Sequence, residues 1–375
     1  MTDDAAFPFI RQALGLAAQA LFLSNPNPRV GCVLVAADGR LIGQGFTQQA
    51  GGAHAEVMAL RDAAAAGEST RGATAYVTLE PCAHQGRTGP CCDALITAGI
   101  GRVVASLKDP NPLVGGQGFA RLRAAGVDVE VGPGAAESRA LNIGFFSRMV
   151  RGTPWVRLKV AASLDGTTAL QSGASQWITS PEARADGHAW RARACAVLTG
   201  IGTVLHDNPR LNVREVATQR QPHIVVLDSR LQTPPNAQLL IAASARIIYA
   251  TDLFDTQFEA RKAALEARDA TVQTLPSTAE GQVDLPAVLR DLGRRGTNEL
   301  HVEAGQQLNG ALLRAGLVDE LLVYLAPKLL GAGLGMAHIG PLESLAEAQT
   351  LEFTDVQRIG PDLRVLARPP GRGNF

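Results

Sequence analysis

Apolar positions recur at helical spacing over residues 9–22, then gather in a short run over 30–36 that stops at Asp38-Gly39, a turn signal. The same reading predicts helices over 55–65, which is alanine-rich, over 91–98 and over 119–125. Strands are predicted over 74–79, 102–106 and 127–131. Strands that alternate with helices imply a mainly parallel or mixed sheet with covered faces. This unit is expected to end near residue 145. The basic stretch 148–154, with Gly152 and Pro154, then separates it from a second periodic region. There the pattern predicts strands over 155–162, 196–199, 224–227, 246–250, 299–303 and 320–325. Leu164-Asp165-Gly166 reads as a turn, and helices are predicted over 181–194, 258–267, 285–294 and 306–313. The expectation is an α/β chain of two domains, 1–147 and 153–370, with no internal repeat between them.

Composition narrows the possibilities. At 375 residues the chain is too long for one ordinary domain, and 46% hydrophobic against 19% charged residues suits sizeable cores. Thirty-five basic and thirty-five acidic side chains balance to zero, whereas a general nucleic-acid binder carries a basic excess. No run approaches the roughly 18 apolar residues that cross a bilayer. Residues 1–6 are acidic and lack the basic and apolar regions of a signal peptide, so a cytoplasmic location is expected. Neither a nucleic-acid nor a membrane partner is expected. Five cysteines, an odd and sparse set, make no disulfide framework. Cys32 and Cys195 lie in or beside apolar runs and read as core. Cys82, Cys91 and Cys92 cluster, which points to a metal or to catalysis.

His54-Ala55-Glu56 opens the alanine-rich helix, Pro81-Cys82 follows the strand over 74–79, and Cys91 starts the next helix. A catalytic zinc site takes three protein ligands and leaves one position open, and one imidazole with two thiolates supplies that set. Helix N-termini favour thiolate as well. Glu56, two residues past the ligand histidine, is close enough to shuttle protons without binding the metal. H-x-E followed by P-C-x-x-C is the signature of zinc deaminases that act on bases. Here eight residues, not two, separate Cys82 from Cys91. Cys92 competes with Cys91 as the ligand. One residue turns about 100° on a helix, so only one of the pair faces the metal.

The long spacer Ala83-His84-Gln85-Gly86-Arg87-Thr88-Gly89-Pro90 is distinctive. So are Asn25-Pro26-Asn27-Pro28-Arg29-Val30-Gly31, Thr78-Leu79-Glu80-Pro81-Cys82 and Lys108-Asp109-Pro110-Asn111-Pro112. Together they resemble the RibD family, the bifunctional deaminase–reductases of riboflavin biosynthesis. The resemblance continues in Ser175-Gln176-Trp177-Ile178-Thr179-Ser180, Val302-Glu303-Ala304-Gly305 and Ala326-Pro327-Lys328-Leu329-Leu330-Gly331, so it covers nearly the whole chain. It implies a cytidine-deaminase-like three-layer domain followed by a dihydrofolate-reductase-like domain. The first would hydrolyse the 2-amino group from a phosphoribosylamino-pyrimidine, using one zinc held by His54, Cys82 and Cys91, with Glu56 catalytic. The second would reduce the ribosyl to a ribityl chain with NADPH. A homo-oligomer is implied too.

Asn27 is expected to contact the pyrimidine. His84 and Arg87, in the inserted loop, are expected to grip the ribose phosphate, the alternative being solvated loop side chains. Where the family often has a histidine, in the segment before H-A-E, this chain has Thr47.

In the second half no G-x-G-x-x-G follows a first strand, which weakens a Rossmann reading. Gly305 instead ends a strand and opens a helix, where phosphate can approach backbone N–H groups, although a tight connection looks the same in sequence. The resemblance carries cofactor contacts onto Ala161, Trp177, Thr203, Asp207, Ser229, Gly305, Gln306, Gln307, Leu308, Asn309, Gly310 and Ala311. It carries substrate contacts onto Ser175, Arg191, Leu211, Arg214 and Glu303. A guanidinium forks onto an anion, which suits Arg191 and Arg214, though Arg191 also fits a solvated helix face. Asp207 fits a ribose partner or a turn aspartate. Lys159 fits a place near the transferred hydride or the solvent face of an alternating strand. Two other readings share the zinc motif: a nucleoside or tRNA deaminase, and a zinc-stabilised interaction module. Zero net charge and the long spacer oppose the first, and Glu56 beside a three-ligand set opposes the second.

Overall fold

In the computed structural model, which describes residues 3–85, 89–253 and 255–375 and side chains from Phe7 onward, the chain forms two compact units, Met1–Gly152 and Thr153–Phe375. The first runs α1 (Asp3–Gln19), β1 (Gly31–Val35), β2 (Leu41–Phe46), α2 (Ala55–Ala65), β3 (Thr74–Val77), α3 (Cys91–Thr97), β4 (Arg102–Ala105), α4 (Gln117–Ala124), β5 (Asp128–Val131), α5 (Ala135–Leu141) and α6 (Ile143–Arg151). Its sheet is ordered β2-β1-β3-β4-β5. β1 lies antiparallel to both neighbours, while β3, β4 and β5 run parallel.

Glycines set how closely helices approach this sheet. A Cβ on Gly31 would come within 1.9 Å of the Ala13 carbonyl oxygen in α1. On Gly43 it would meet the Ala59 oxygen at 2.4 Å, and on Gly45 the Met58 Cβ at 2.5 Å. Ala55, Ala59 and Ala63 of α2 are all buried. Small faces small, so α2 sits hard against β2 and its N-terminus is fixed in place. Since Gly45 pairs with Cys32, and successive residues point to opposite faces, α1 and α2 cover the two sides of β1. Three layers result.

The second unit runs β6 (Trp155–Ser163), β7 (Thr167–Leu170), α7 (Pro181–Arg193), β8 (Ala196–Gly200), α8 (Ile201–Asp207), β9 (His223–Leu227), β10 (Arg246–Thr251), α9 (Phe258–Glu266), β11 (Ala270–Leu275), α10 (Leu285–Arg294), β12 (Glu299–Val302), α11 (Gln306–Arg314), β13 (Glu320–Ala326), β14 (Gly333–Gly335), β15 (Glu352–Ile359) and β16 (Asp362–Arg368). Nine strands form one sheet, β11-β10-β9-β8-β12-β6-β13-β16-β15, parallel except for the β13-β16-β15 edge. The chain steps outward from β8 to β11, then returns to insert β12 between β8 and β6. Such a reversal opens a crevice at the carboxyl ends of the strands.

Several elements differ from the sequence expectation. The helix expected over 9–22 starts earlier and stops at Gln19, because residues 20–24 turn back toward β1. β2 was not expected, since Gly43 and Gly45 weaken its strand pattern; those glycines serve the approach of α2. Nor were α5, α6, β7, α8, β11, β14 and the β15–β16 hairpin expected. β15 is mostly exposed on both faces and carries no alternation to read.

β6 alternates strictly. Val156, Leu158, Val160 and Ala162 enter the main core, while Arg157 and Lys159 face the other side. Arg157 is buried there between Glu299 of β12, at 2.9 Å, and Glu320 of β13. Arg193 and Arg368 brace the same carboxylates at 2.7 and 2.8 Å. Removing one partner from a buried ion network strands the others. Arg157→Ala should cost about 3 kcal/mol in urea unfolding; a loss under about 1 kcal/mol would show that Arg193 and Arg368 suffice.

Candidate metal and cofactor sites

His54 is the N-cap of α2, Cys91 the first residue of α3, and Cys82 follows β3. Their ligand atoms lie within 4.8 Å of one another. The Nδ1 of His54 stands 3.6 Å from Cys82 Sγ and 3.3 Å from Cys91 Sγ. The Cys91 amide N–H donates to Cys82 Sγ at 3.3 Å, as a helix N-terminus does for a thiolate. Glu56 is buried beside them.

The electrostatics are those of too much negative charge in one place. A hydrogen bond from the Cys91 thiol, against the opposing effect of burial, draws Cys82 down to about 4, with His54 and the Cys91 amide assisting. Cys91 is pushed far up by that same bond and by burial, so the pair carries one charge. Burial, then the Cys82 charge, pushes Glu56 up to about 7. The bond to Cys82 raises His54. A dication among these donors would let both thiols ionise. One nitrogen and two sulfurs make the donor set of a catalytic zinc, so the residues fit it. Cys92 is buried, donates to Asp93 at 3.7 Å, and is pushed up to about 11 by burial. It is not among the clustered donors.

The motif before β1 is held from three sides. The Arg29 amide donates to Asn142 Oδ1 at 2.7 Å, and Asn142 Nδ2 donates to the Arg29 carbonyl at 2.9 Å. Thr78 Oγ1 accepts from the Gly31 amide. Thr47, buried, accepts from the Val30 amide at 3.2 Å, so it braces the backbone. Asn27 is half-buried, and its amide donates to the Ser24 carbonyl. His84 is exposed. Arg87 lies outside the described residues.

In the second unit Glu303, just past β12, is gripped by both Nε and Nη2 of Arg191 from α7. Lys159 Nζ stands 4.0 Å from Glu303 and His301 Nε2 3.3 Å. Burial would raise the Glu303 carboxyl, but Arg191 holds it well below the ordinary range. Burial lowers Lys159, only partly opposed by Glu303. Lys159 therefore faces a carboxylate, not bulk solvent. Arg191 Nη1 donates to the Asn212 carbonyl, and the Arg214 amide donates to His188 Nδ1 at 3.4 Å. Burial, with Arg191 and Arg214 adding, pushes His188 down to about 4. It is the neutral acceptor this bond needs. Leu211, buried, adopts a φ of 54°, and Arg214 is exposed.

At the strand ends, α11 has Gly305 as N-cap with no side chain capping it, and α8 likewise follows Gly200. A Cβ on Gly305 would meet nothing within 4 Å. Adjacent parallel β8 and β12 thus each deliver a helix N-terminus to one edge, a fit for the phosphates of a dinucleotide. The side chains of Gln306 and Asn309 turn to Gly335 and Met336, and Gly310 admits the His338 carbonyl, where a Cβ would approach to 1.9 Å. That leaves the backbone N–H groups of the first turn, Gln307 and Leu308 included, for an anion. Ala311 and Ala161 are half-buried, as are Thr203 and Ser175; Asp207 is exposed, 4.0 Å from His206. Ser229 donates to Gln282, and Trp177, 60% exposed, lies under Arg184 at 4.5 Å.

Comparison with known proteins decides the family. Residues 4–107 match the family model "Cytidine and deoxycytidylate deaminase zinc-binding region", and 154–365 match "RibD C-terminal domain". Riboflavin biosynthesis protein RibD of Escherichia coli (strain K12) is 47% identical, the alignment covering 95% of this chain and 97% of that one. The chain belongs to the RibD family. The Haemophilus influenzae RibD is 42% identical over 97% of each chain. Among solved structures, Acinetobacter baumannii RibD superposes with a TM-score of 0.88 at 39% identity, covering 98% of this chain and 99% of that one. A Thermotoga maritima structure, described as a diaminohydroxyphosphoribosylaminopyrimidine deaminase/5-amino-6-(5-phosphoribosylamino)uracil reductase, gives 0.84 at 33% over the same shares. As a RibD, this is a bifunctional deaminase and reductase of riboflavin biosynthesis. Its reductase domain has the dihydrofolate-reductase-like fold, and its cofactors are zinc and NADPH. No described helix is long and apolar enough to cross a membrane.

Sequence reasoning gave no role to His188 or His301. Their signals were local: His188 precedes Arg191 by one helical turn, and His301 shares a strand face with Glu303. Cys91→Ala should drop zinc well below one per chain by elemental analysis, while Cys92→Ala should keep it. The reverse pattern would exchange their roles.

Proposed function

We propose that the first unit hydrolytically deaminates 2,5-diamino-6-(5-phosphoribosylamino)pyrimidin-4(3H)-one and that the second reduces the product's ribosyl group to ribityl with NADPH. The observation that carries this is the three-donor cluster of His54, Cys82 and Cys91 with Glu56 buried against it. Zinc, when bound, supplies the Lewis acidity that makes water a nucleophile near neutral pH. Glu56 takes a proton from the attacking water and returns protons to the ring nitrogen and the departing ammonia. A buried carboxylate beside the attacking water can take a proton and give it back within one turnover. Asn27 faces the pyrimidine in this reading, with His84 and Arg87 on the phosphate.

In the second unit NADPH, when bound, supplies the hydride. The first turn of α11 from Gly305 takes its phosphates, with Ala161, Trp177, Thr203, Asp207 and Ser229 along the remainder. Arg214 and Arg191 take the substrate phosphate, with Ser175 and the Leu211 backbone lining the approach. Glu303 faces the sugar. Lys159, made easier to deprotonate by burial, can pass a proton from Nζ to the opening ring oxygen.

The chain also acts as a homo-oligomer. Edge strand β15, with Phe353 76% and Val356 54% exposed, supports self-association, because a sheet edge offers unpaired backbone groups to a partner strand. Sedimentation showing only monomer at micromolar concentration would remove this point.

Ammonia release and loss of 340 nm absorbance, followed separately, test the two activities. Glu56→Gln should keep zinc yet cut deamination by about 10² to 10⁴, with reduction of the deaminated substrate intact. Arg191→Ala should weaken the reductase step and spare ammonia release. Unchanged deamination in the first variant would remove Glu56 from the chemistry.

A further inference from the structure

Glu80 stands two residues before Cys82 and is buried, yet it takes no part in the chemistry described above. Its carboxylate accepts four backbone N–H groups from one distant segment. Oε2 takes those of Asp109 at 3.0 Å and Gly116 at 2.8 Å; Oε1 takes those of Gly118 at 2.8 Å and Phe119 at 3.3 Å. Three of these belong to the N-cap and first turn of α4, whose N-cap Gly116 has no side chain to offer. Glu80 therefore caps α4 from outside and satisfies donors that would otherwise be orphaned.

The capped segment lies against both cysteine-bearing stretches. Gly118 packs so closely that a Cβ there would come within 2.0 Å of the Pro81 carbonyl oxygen. Arg121 donates to the Ala83 carbonyl at 3.4 Å and pairs with Asp93 at 2.7 Å. Within the loop, Asp109 accepts from the Asn111 amide and Asn111 from the Leu113 amide, a run of turns that turns the chain without a sheet partner. The Asp109 carboxyl sits in the field of Cys82 and His84.

We propose that Glu80 is a positioning residue of the deaminase: by capping α4 and holding the Asp109 amide, it shapes the 109–119 segment into the wall of the substrate cleft beside Cys82. This rests on the deaminase reading of the unit. Glu80 acts on substrate fit, not on the metal or the proton transfers, so its loss falls on KM.

Glu80→Gln is nearly isosteric but turns an NH2 toward two of the four amides, whichever way it rotates. It should raise KM for the diaminopyrimidine at least about tenfold, with kcat within about threefold. Zinc should stay at one per chain, reduction should not change, and amide exchange at Gly116 and Gly118 should quicken. Unchanged KM, or activity lost in proportion to zinc, would overturn the proposal. Should the Gln variant not fold, Glu80→Asp, which keeps the charge but falls a methylene short, is read on the same scales. Wild-type protein that releases no ammonia would sink the deaminase reading instead, whatever Glu80 does.

Discussion

Two thiols, an imidazole and a carboxylate crowded into one partly buried space cannot all carry their useful charges without a cation among them. The first unit is arranged around that constraint. Alone, the cysteine pair keeps a proton and Glu56 is pushed to about 7. The fold holds these groups together through close backbone packing. Glycines at 43 and 45 seat α2, and with it His54 and Glu56; the turn after β3 and the start of α3 place the cysteines.

The second unit meets a related problem with paired side chains. Its sheet carries a polar stripe down one face, from Arg157, Glu299 and Glu320 at one end to Lys159, His301 and Glu303 near the carboxyl end. The deep end is fully paired and serves the structure. At the shallow end Arg191 and Glu303 hold each other, 15% and 14% exposed. His188 and Arg191, one helical turn apart, tie the Leu211–Arg214 backbone to the same place.

Much of the first site was legible because its signals are local. A histidine and a glutamate two apart at a helix start, and a proline-cysteine after a strand, are spacings that backbone geometry converts directly into positions. The choice between Cys91 and Cys92 was not legible from rotation alone, since either could face inward until α3 is docked. Thr47, which stands where the family often has a histidine, is buried and bonded to the Val30 backbone, a role no local spacing announces. Glycine-interrupted β2 and exposed β15 escaped because neither shows the alternation of a half-buried strand.

The sequence by itself pointed to the clustered His54, Cys82 and Cys91, to the two α/β regions and to the family, since each rests on residues near one another in the chain or on motifs distinctive enough to stand alone. Only the tertiary structure decided that Glu303 meets Arg191 across 112 positions, that Glu80 caps a helix 36 or more residues away, and that β12 slips between β8 and β6. Such pairings depend on sheet order and helix docking, in which the whole core takes part, and no local spacing encodes them.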